Sequence, residues 1–224
     1  MTRMGFFLKR MAILLLAVVA LTACSVKKEE PKAVSPDLGV TEKAGNSKDF
    51  NLDNQPYLGN PDAPIQIIEF ADYKCPACKR WKDEVLNPLK KNYIDSGQAV
   101  YYYVDLPFLA PDSTLAALAG ETLYQQDPAY FWTYFDLMME HQGKKDEEWA
   151  NRDFIIELVA DEIPEADLEQ FTQELDEEKY LPQIKKDVLI ADAHEVGGTP
   201  TVFVNGQMVE DVSYEGIKAT IEGK

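Results

Sequence analysis

The apolar positions fall into three regimes along the chain. Met11 to Leu21 is one unbroken apolar run, and the stretch from Ser25 to about Asn54 has no sustained apolar period at all. Beyond it, IQIIEFA at Ile65–Ala71 is rich in β-branched and aromatic residues and predicts a buried strand. Pro76 suits the first position of a helix running through Trp81, Val85 and Leu89, with a kink at Pro88. AVYYYVDL at 99–106 predicts a second strand, so strand, helix and strand form a right-handed βαβ unit. Tyr101, Tyr102 and Tyr103 are read as sheet packing rather than as a stacking platform.

From Asp112 to about Glu195 the period becomes helical. Asp112 or Ser113 caps a helix over 114–125, Asp127-Pro128 opens one through Phe131, Phe135 and Met138, and Asn151 and Pro164 begin two more. A fifth helix covers 181–195. A strand then follows over 201–205, with an Asn205-Gly206 hairpin turn, a partner strand over 207–210 and a short helix from Tyr214. The order is βαβ, a helical insertion at about 111–179, then ββα, which is an α/β fold.

The first regime is a targeting segment. Arg3, Lys9 and Arg10 precede an apolar run too short to span a bilayer but suited to a signal-peptide core. The run ends in Leu21-Thr22-Ala23-Cys24, which resembles the lipobox of bacterial lipoproteins; the Cys24 thiol would carry the lipid. The alternative is ordinary secretory cleavage or an uncleaved anchor, with Cys24 incidental. The expected layout is a signal peptide over 1–23, a lipidated N terminus and flexible linker over 24–54, and one domain over 55–224. The domain would then work outside the cytoplasmic membrane, anchored to it through Cys24.

Charge excludes one class of function. The chain carries 22 basic and 39 acidic residues, a net −17, and becomes more negative once Arg3, Lys9 and Arg10 are removed. Nucleic-acid binding through a basic patch is excluded, and so is electrostatic adhesion to an anionic membrane. Acidic clusters such as Asp146-Glu147-Glu148 read as solvated surface rather than as calcium ligands.

Of 3 cysteines, lipidation of Cys24 leaves Cys75 and Cys78 with only each other to bridge. Cys75-Pro76-Ala77-Cys78 lies where the first strand hands over to the helix. The unpaired N–H groups of that helix terminus favour a thiolate on Cys75, with help from Lys74, Lys79 and Arg80 if they face it. Cys75 is therefore expected to be exposed, with Cys78 more buried as the resolving thiol. Zinc would need two further ligands, and His141 and His194 lie at no ligand spacing, so no metal is expected at the pair. An inert structural disulfide is the other alternative. In VGGTPTVFVNG at 196–206, Pro200 stands directly before an apolar strand. A cis Thr199-Pro200 bond would expose a strand edge to an extended substrate beside Cys75; a trans proline in a tight turn is the plainer alternative.

IIEFADYKCPACKRW (67–81), AYFWTYFDLMMEHQG (129–143) and VGGTPTVFVNG (196–206), in this order, resemble the DsbA-like branch of the thioredoxin superfamily over nearly all of the domain. The resemblance implies a thioredoxin-like fold with a helical insertion and disulfide formation in exported proteins. Cys75 would be the nucleophile, Cys78 the resolving thiol and Thr199-Pro200 a cis dipeptide facing them. Glu69 would be a buried acid that helps move protons; otherwise it is a surface glutamate at a strand end. The departure is Ala77, where the strongest oxidants of the family carry histidine.

The expected activity is a dithiol oxidase acting as a monomer on reduced exported proteins that contain cysteines, reoxidised by a quinone-linked membrane partner and needing no cofactor. Two rivals remain. One is a reductase or isomerase kept reduced by a membrane donor, although 25–54 is short and polar for the dimerisation domain of an isomerase. The other is a non-catalytic binding lipoprotein that uses the core as a scaffold.

Overall fold

The computed structural model describes Leu38 and residues 50–223. The expected signal peptide, Cys24 and most of the linker lie outside the described residues.

Five strands form one sheet in the order β1-β3-β2-β4-β5. They are β1 (Tyr57–Gly59), β2 (Ile65–Ala71), β3 (Ala99–Asp105), β4 (Thr201–Val204) and β5 (Gln207–Met208). β2 and β3 run parallel in the centre, and the other pairings are antiparallel. Every residue of β3, and β2 from Ile67 onward, is buried. That is why both strands read as runs largely apolar on both faces instead of alternating. The β1 strand lacks any such run and was not expected. The Asn205-Gly206 turn does join β4 to β5, with both residues at positive φ (50° and 78°) as a type I′ turn requires.

The α1 helix (Pro76–Trp81) continues without a break through π-helical turns at Lys82–Leu86 and Lys90–Ile94, which flank α2 (Asn87–Leu89). Pro88 lacks an N–H, and the wider turns on either side of it absorb the missing bond. Between β3 and β4 come α3 (Pro111–Gln126), α4 (Pro128–Glu140), α5 (Arg152–Glu162), α6 (Leu168–Asp176) and α7 (Leu181–Ala193); α8 (Tyr214–Ile221) closes the domain.

Two starts differ from expectation. The α3 helix begins at Pro111, and Asp112 does not cap it; its Oδ2 accepts instead from the N–H groups of Trp149 and Ala150. The α6 helix starts at Leu168, capped by Asp167, rather than at Pro164. Asp127 and Asn151 cap α4 and α5 as expected.

The sheet separates two apolar layers. On one face, Ile67, Ala71, Tyr101 and Tyr103 pack with Trp81, Val85 and Leu89 and with residues of α3 to α6. On the other face, Ile68, Phe70, Tyr102, Val104 and Phe203 pack with Ile190 and Ala191 of α7 and with Phe50. Phe50 falls in the expected linker, yet it is 8% exposed and its ring stacks on His194 at 3.8 Å. The folded part therefore begins before residue 55, because this aromatic covers the sheet.

Candidate active site

Between the end of β2 and the start of α1, four residues turn the chain so that Cys75 becomes the helix N-cap, with φ −78° and ψ 113°. Asp72 fixes this turn. Its Oδ1 accepts from Lys74 N at 2.8 Å, and its Oδ2 accepts from Phe108 N and Leu109 N at 3.0 and 3.1 Å. Its carbonyl accepts from Cys75 N at 2.9 Å.

Lys74 does not face the sulfur as expected. It is buried, and its Nζ lies 2.5 Å from Asp112 Oδ1 and donates to the Glu147 carbonyl at 2.8 Å. Removing either partner would strand a buried charge at a cost of about 3–5 kcal/mol. Lys79 also turns away, donating to the Glu140 carbonyl at 3.0 Å.

Cys75 and Cys78 are free thiols here, so the geometry is that of the dithiol. Cys75 is less exposed than expected, at 6% against 1% for Cys78. The strand that follows Thr199-Pro200 pairs with β2 through Phe70 and Thr201, which brings the dipeptide over the site. The Thr199-Pro200 bond is cis, and the Cys75 thiol donates to the Thr199 carbonyl at 3.3 Å. Cys78 N lies 3.4 Å from Cys75 Sγ.

The Thioredoxin family model matches residues 51–223. The chain is 38% identical over 173 residues to the Probable disulfide bond formation protein D of Bacillus cereus, covering 77% of this chain and 80% of that one. The oxidised BdbD of Bacillus subtilis superposes with a TM-score of 0.73 at 31% identity, covering 81% of this chain and 98% of that one. The DsbA of Chlamydia trachomatis, at 24% identity, shares the fold with a TM-score of 0.69 over 81% of this chain and 95% of that one. This chain belongs to the DsbA-like branch of the thioredoxin superfamily, a branch of protein thiol–disulfide oxidoreductases.

The two thiols of this DsbA-like site are driven apart electrostatically. The Cys75 pKa is lowered to about 6, first by the hydrogen bond from the Cys78 thiol, then by the Thr199 side chain and the N–H groups of Cys78 and Ala77, against burial. Burial pushes the Cys78 pKa far up, aided by its bond to Cys75 and by the negative charge of Glu69. The thiolate is thus held by hydrogen bonds, not by the lysines.

Glu69 is not at the surface. It is 2% exposed on β2 and accepts from the Tyr101 hydroxyl at 2.5 Å. Burial raises its pKa to about 8 although Tyr101 pulls it down. The structure therefore brings Cys75, Cys78, Thr199, Pro200 and Glu69 into one region. His141 and His194 stay outside it, next to Phe154 and Phe50.

Among the described residues, one group could hold a metal, and it is separate from the cysteines. Oxygens of Asp105, Glu121 and Asp187 lie within 4.8 Å of one another, all buried. Both oxygens of Asp105 and Oε2 of Glu121 have no hydrogen-bond partner; nor does Oε1 of Gln55, whose Nε2 donates to Asp187 Oδ1 at 2.6 Å. Burial raises the pKa of Asp187 to about 7, and burial together with the neighbouring carboxylates raises Asp105 and Glu121 well above the usual range. An all-oxygen donor set of this charge suits a hard divalent cation of the calcium type. No motif announces it, since the three carboxylates come from the end of β3, the middle of α3 and the middle of α7. The available signal is Glu121 inside the largely apolar run LAALAGETL.

Proposed function

We propose that the chain is an exported dithiol oxidase that introduces disulfides into exported proteins by exchange at Cys75 and Cys78. The observation that carries this reading is Cys75 at the N terminus of α1, its Sγ 3.4 Å from Cys78 N and against the cis Thr199-Pro200 dipeptide. This arrangement favours a thiolate on Cys75, while burial holds Cys78 protonated. A stable Cys75 thiolate favours the reduced enzyme, and hence transfer of electrons to it.

In the oxidised enzyme Cys75 and Cys78 share the disulfide. A substrate thiolate attacks Cys75 Sγ, forming a mixed disulfide and breaking the Cys75–Cys78 bond. Cys78 leaves with the electron pair and takes a proton; Glu69, protonated below about pH 8, is the buried acid beside it. A second substrate thiolate then attacks the substrate sulfur of the mixed disulfide and expels Cys75 as its stable thiolate. The substrate loses two electrons and two protons; one proton ends on Cys78 and the other in solvent, and the enzyme ends with Cys75 as thiolate and Cys78 as thiol. The cis Thr199-Pro200 edge is the surface against which an extended substrate would pair during both steps.

The layout that goes with this activity is a signal peptide over 1–23, lipid on Cys24, a linker, and a monomeric domain held at the outer side of the cytoplasmic membrane. Anchoring there keeps the dithiol near a quinone-linked partner that reoxidises it. A reductase or isomerase uses the same sulfurs in reverse, and a non-catalytic lipoprotein needs neither. Mixing the oxidised domain with a reduced unfolded protein separates them. The oxidase reading expects the oxidised domain to emerge as the reduced form while the substrate gains a disulfide. It expects Cys75→Ser and Cys78→Ser, which cannot form the Cys75–Cys78 disulfide, to oxidise nothing. Failure of the unsubstituted domain to oxidise that protein would overturn it.

A further inference from the structure

The segment joining α4 to α5 is fastened to the Cys75 turn by more than apolar packing. Lys74 Nζ donates to the Glu147 carbonyl, and Lys79 Nζ donates to the Glu140 carbonyl. Between them lies Gln142, half-buried, whose Nε2 donates to the Tyr73 carbonyl at 2.7 Å and to the Cys75 carbonyl at 3.1 Å. One side-chain amide thus bridges the two backbone carbonyls that flank Lys74. Tyr73 is fully buried, and its carbonyl lies in a turn, outside the ladders of strand and helix. The Cys75 carbonyl already accepts the first helical bond, from Lys79 N at 3.2 Å.

We propose that Gln142 is a positioning residue for the nucleophile, through which the helical insertion sets the stability of the Cys75 thiolate. The argument is geometric. The thiolate depends on N–H groups of Ala77 and Cys78 pointing at Cys75 Sγ. Whether they point there depends on the path of the turn from Tyr73 to Pro76, whose 73–74 and 75–76 peptide units carry the two carbonyls that Gln142 bonds. Two N–H bonds from one rigid amide hold those units in register with the insertion, and a side chain without donors leaves them free to rotate. The hydrogen bonds of Gln142 go to backbone carbonyls and not to either sulfur, so its effect reaches the chemistry through the backbone. The proposal rests on the exchange chemistry at Cys75 but not on its direction.

The test uses the soluble domain with three substitutions. Gln142→Met keeps length and removes both donors. Gln142→Glu keeps shape and turns a carboxylate toward two carbonyl oxygens. Gln142→Lys restores donors on a flexible stem. In the reduced protein, thiolate is followed by its ultraviolet absorbance against pH, and the dithiol–disulfide equilibrium is followed in glutathione buffers.

Gln142→Met is expected to lower the thiolate fraction below the midpoint, and the equilibrium constant for reduction of the domain, by ~3-fold each, the scale of one modest hydrogen bond. Gln142→Glu should shift both further in the same direction, and Gln142→Lys should recover part of the loss. Met and Glu variants that unfold at lower temperature but titrate as the parent does would overturn the proposal, because a purely structural tie predicts that result. If Gln142→Glu fails to fold, the Met and Lys pair still decides. A wild-type domain that proves reducing would sink the oxidase reading while leaving these shifts readable.

Discussion

The Tyr101 hydroxyl donates to Glu69 Oε2 from the neighbouring strand, with both side chains on the buried face of the sheet that carries α1. The bond stabilises the carboxylate, so it opposes the burial that raises the Glu69 pKa to about 8. Glu69→Gln is expected to slow release of Cys78 from the disulfide by roughly 100-fold, the low end of general acid–base contributions, at pH values below about 8. Tyr101→Phe removes the opposing bond and should move the alkaline limb of the rate profile to higher pH. Rapid-mixing kinetics of the oxidised domain with a small dithiol, followed across pH, checks both.

Thermal stability of the dithiol should depend on pH in a direction set by Cys75. Its folded pKa is depressed from 9.0 to about 6, so its contribution is present in full above the unfolded value and is lost as pH falls through about 6. The disulfide form has no such group, whereas Glu69 is present in both. The melting temperature of the reduced domain relative to the oxidised one should therefore rise between about pH 6 and pH 9. Calorimetry on both forms at those pH values measures it, and a constant difference would contradict the thiolate assignment.

The Asp105, Glu121 and Asp187 cluster gives a prediction about metal. Calcium should raise the melting temperature, by roughly 5–10 °C at a hundredfold excess over its dissociation constant, and release protons as it binds. The sign of the pH effect without calcium is opposite to that of Cys75. The folded pKa of Asp187 is raised to about 7, so its stabilising contribution is full below the unfolded value and is lost as pH rises through about 7. Glu121→Gln should abolish the response to calcium. A melting temperature indifferent to both calcium and chelator would contradict the assignment.

Much of this frame was legible in the residues. The largely apolar character of 65–71 reflects a central strand buried on both faces, and Cys75-Pro76 just beyond it marks the helix start. Asn205-Gly206 marks its turn because that turn requires positive φ twice. Most failures depend on contacts distant in sequence; the start of α6 is the exception, since its Asp167 cap is local. Asp112 looks like a cap locally, but Lys74, Trp149 and Ala150 claim its carboxylate. Lys74 looks like a charge beside the thiolate, but Asp112 draws it away. Phe50 looks like linker until Phe70 and Phe203 supply a surface to cover. Gln142 lies in the segment 129–143, but its role could not be read because its partners lie 67 or more residues away, and the carboxylate cluster had no motif because it joins three separate elements.

Location is tested by mass. The mature protein should begin at Cys24 with lipid attached and partition with membranes, and Cys24→Ala should abolish lipidation while the soluble domain keeps its exchange activity. An unmodified Cys24 in the exported protein would contradict the anchor.

The direction of electron flow is the central claim, and the reduction potential of the soluble domain tests it most directly. Equilibration with glutathione buffers, beside refolding of a reduced disulfide protein, should place the couple on the oxidising side of the superfamily, at roughly −200 to −120 mV, with refolding supported. Ala77→His should raise it further. A potential near about −270 mV, without oxidative refolding, would contradict the oxidase and identify a reductase.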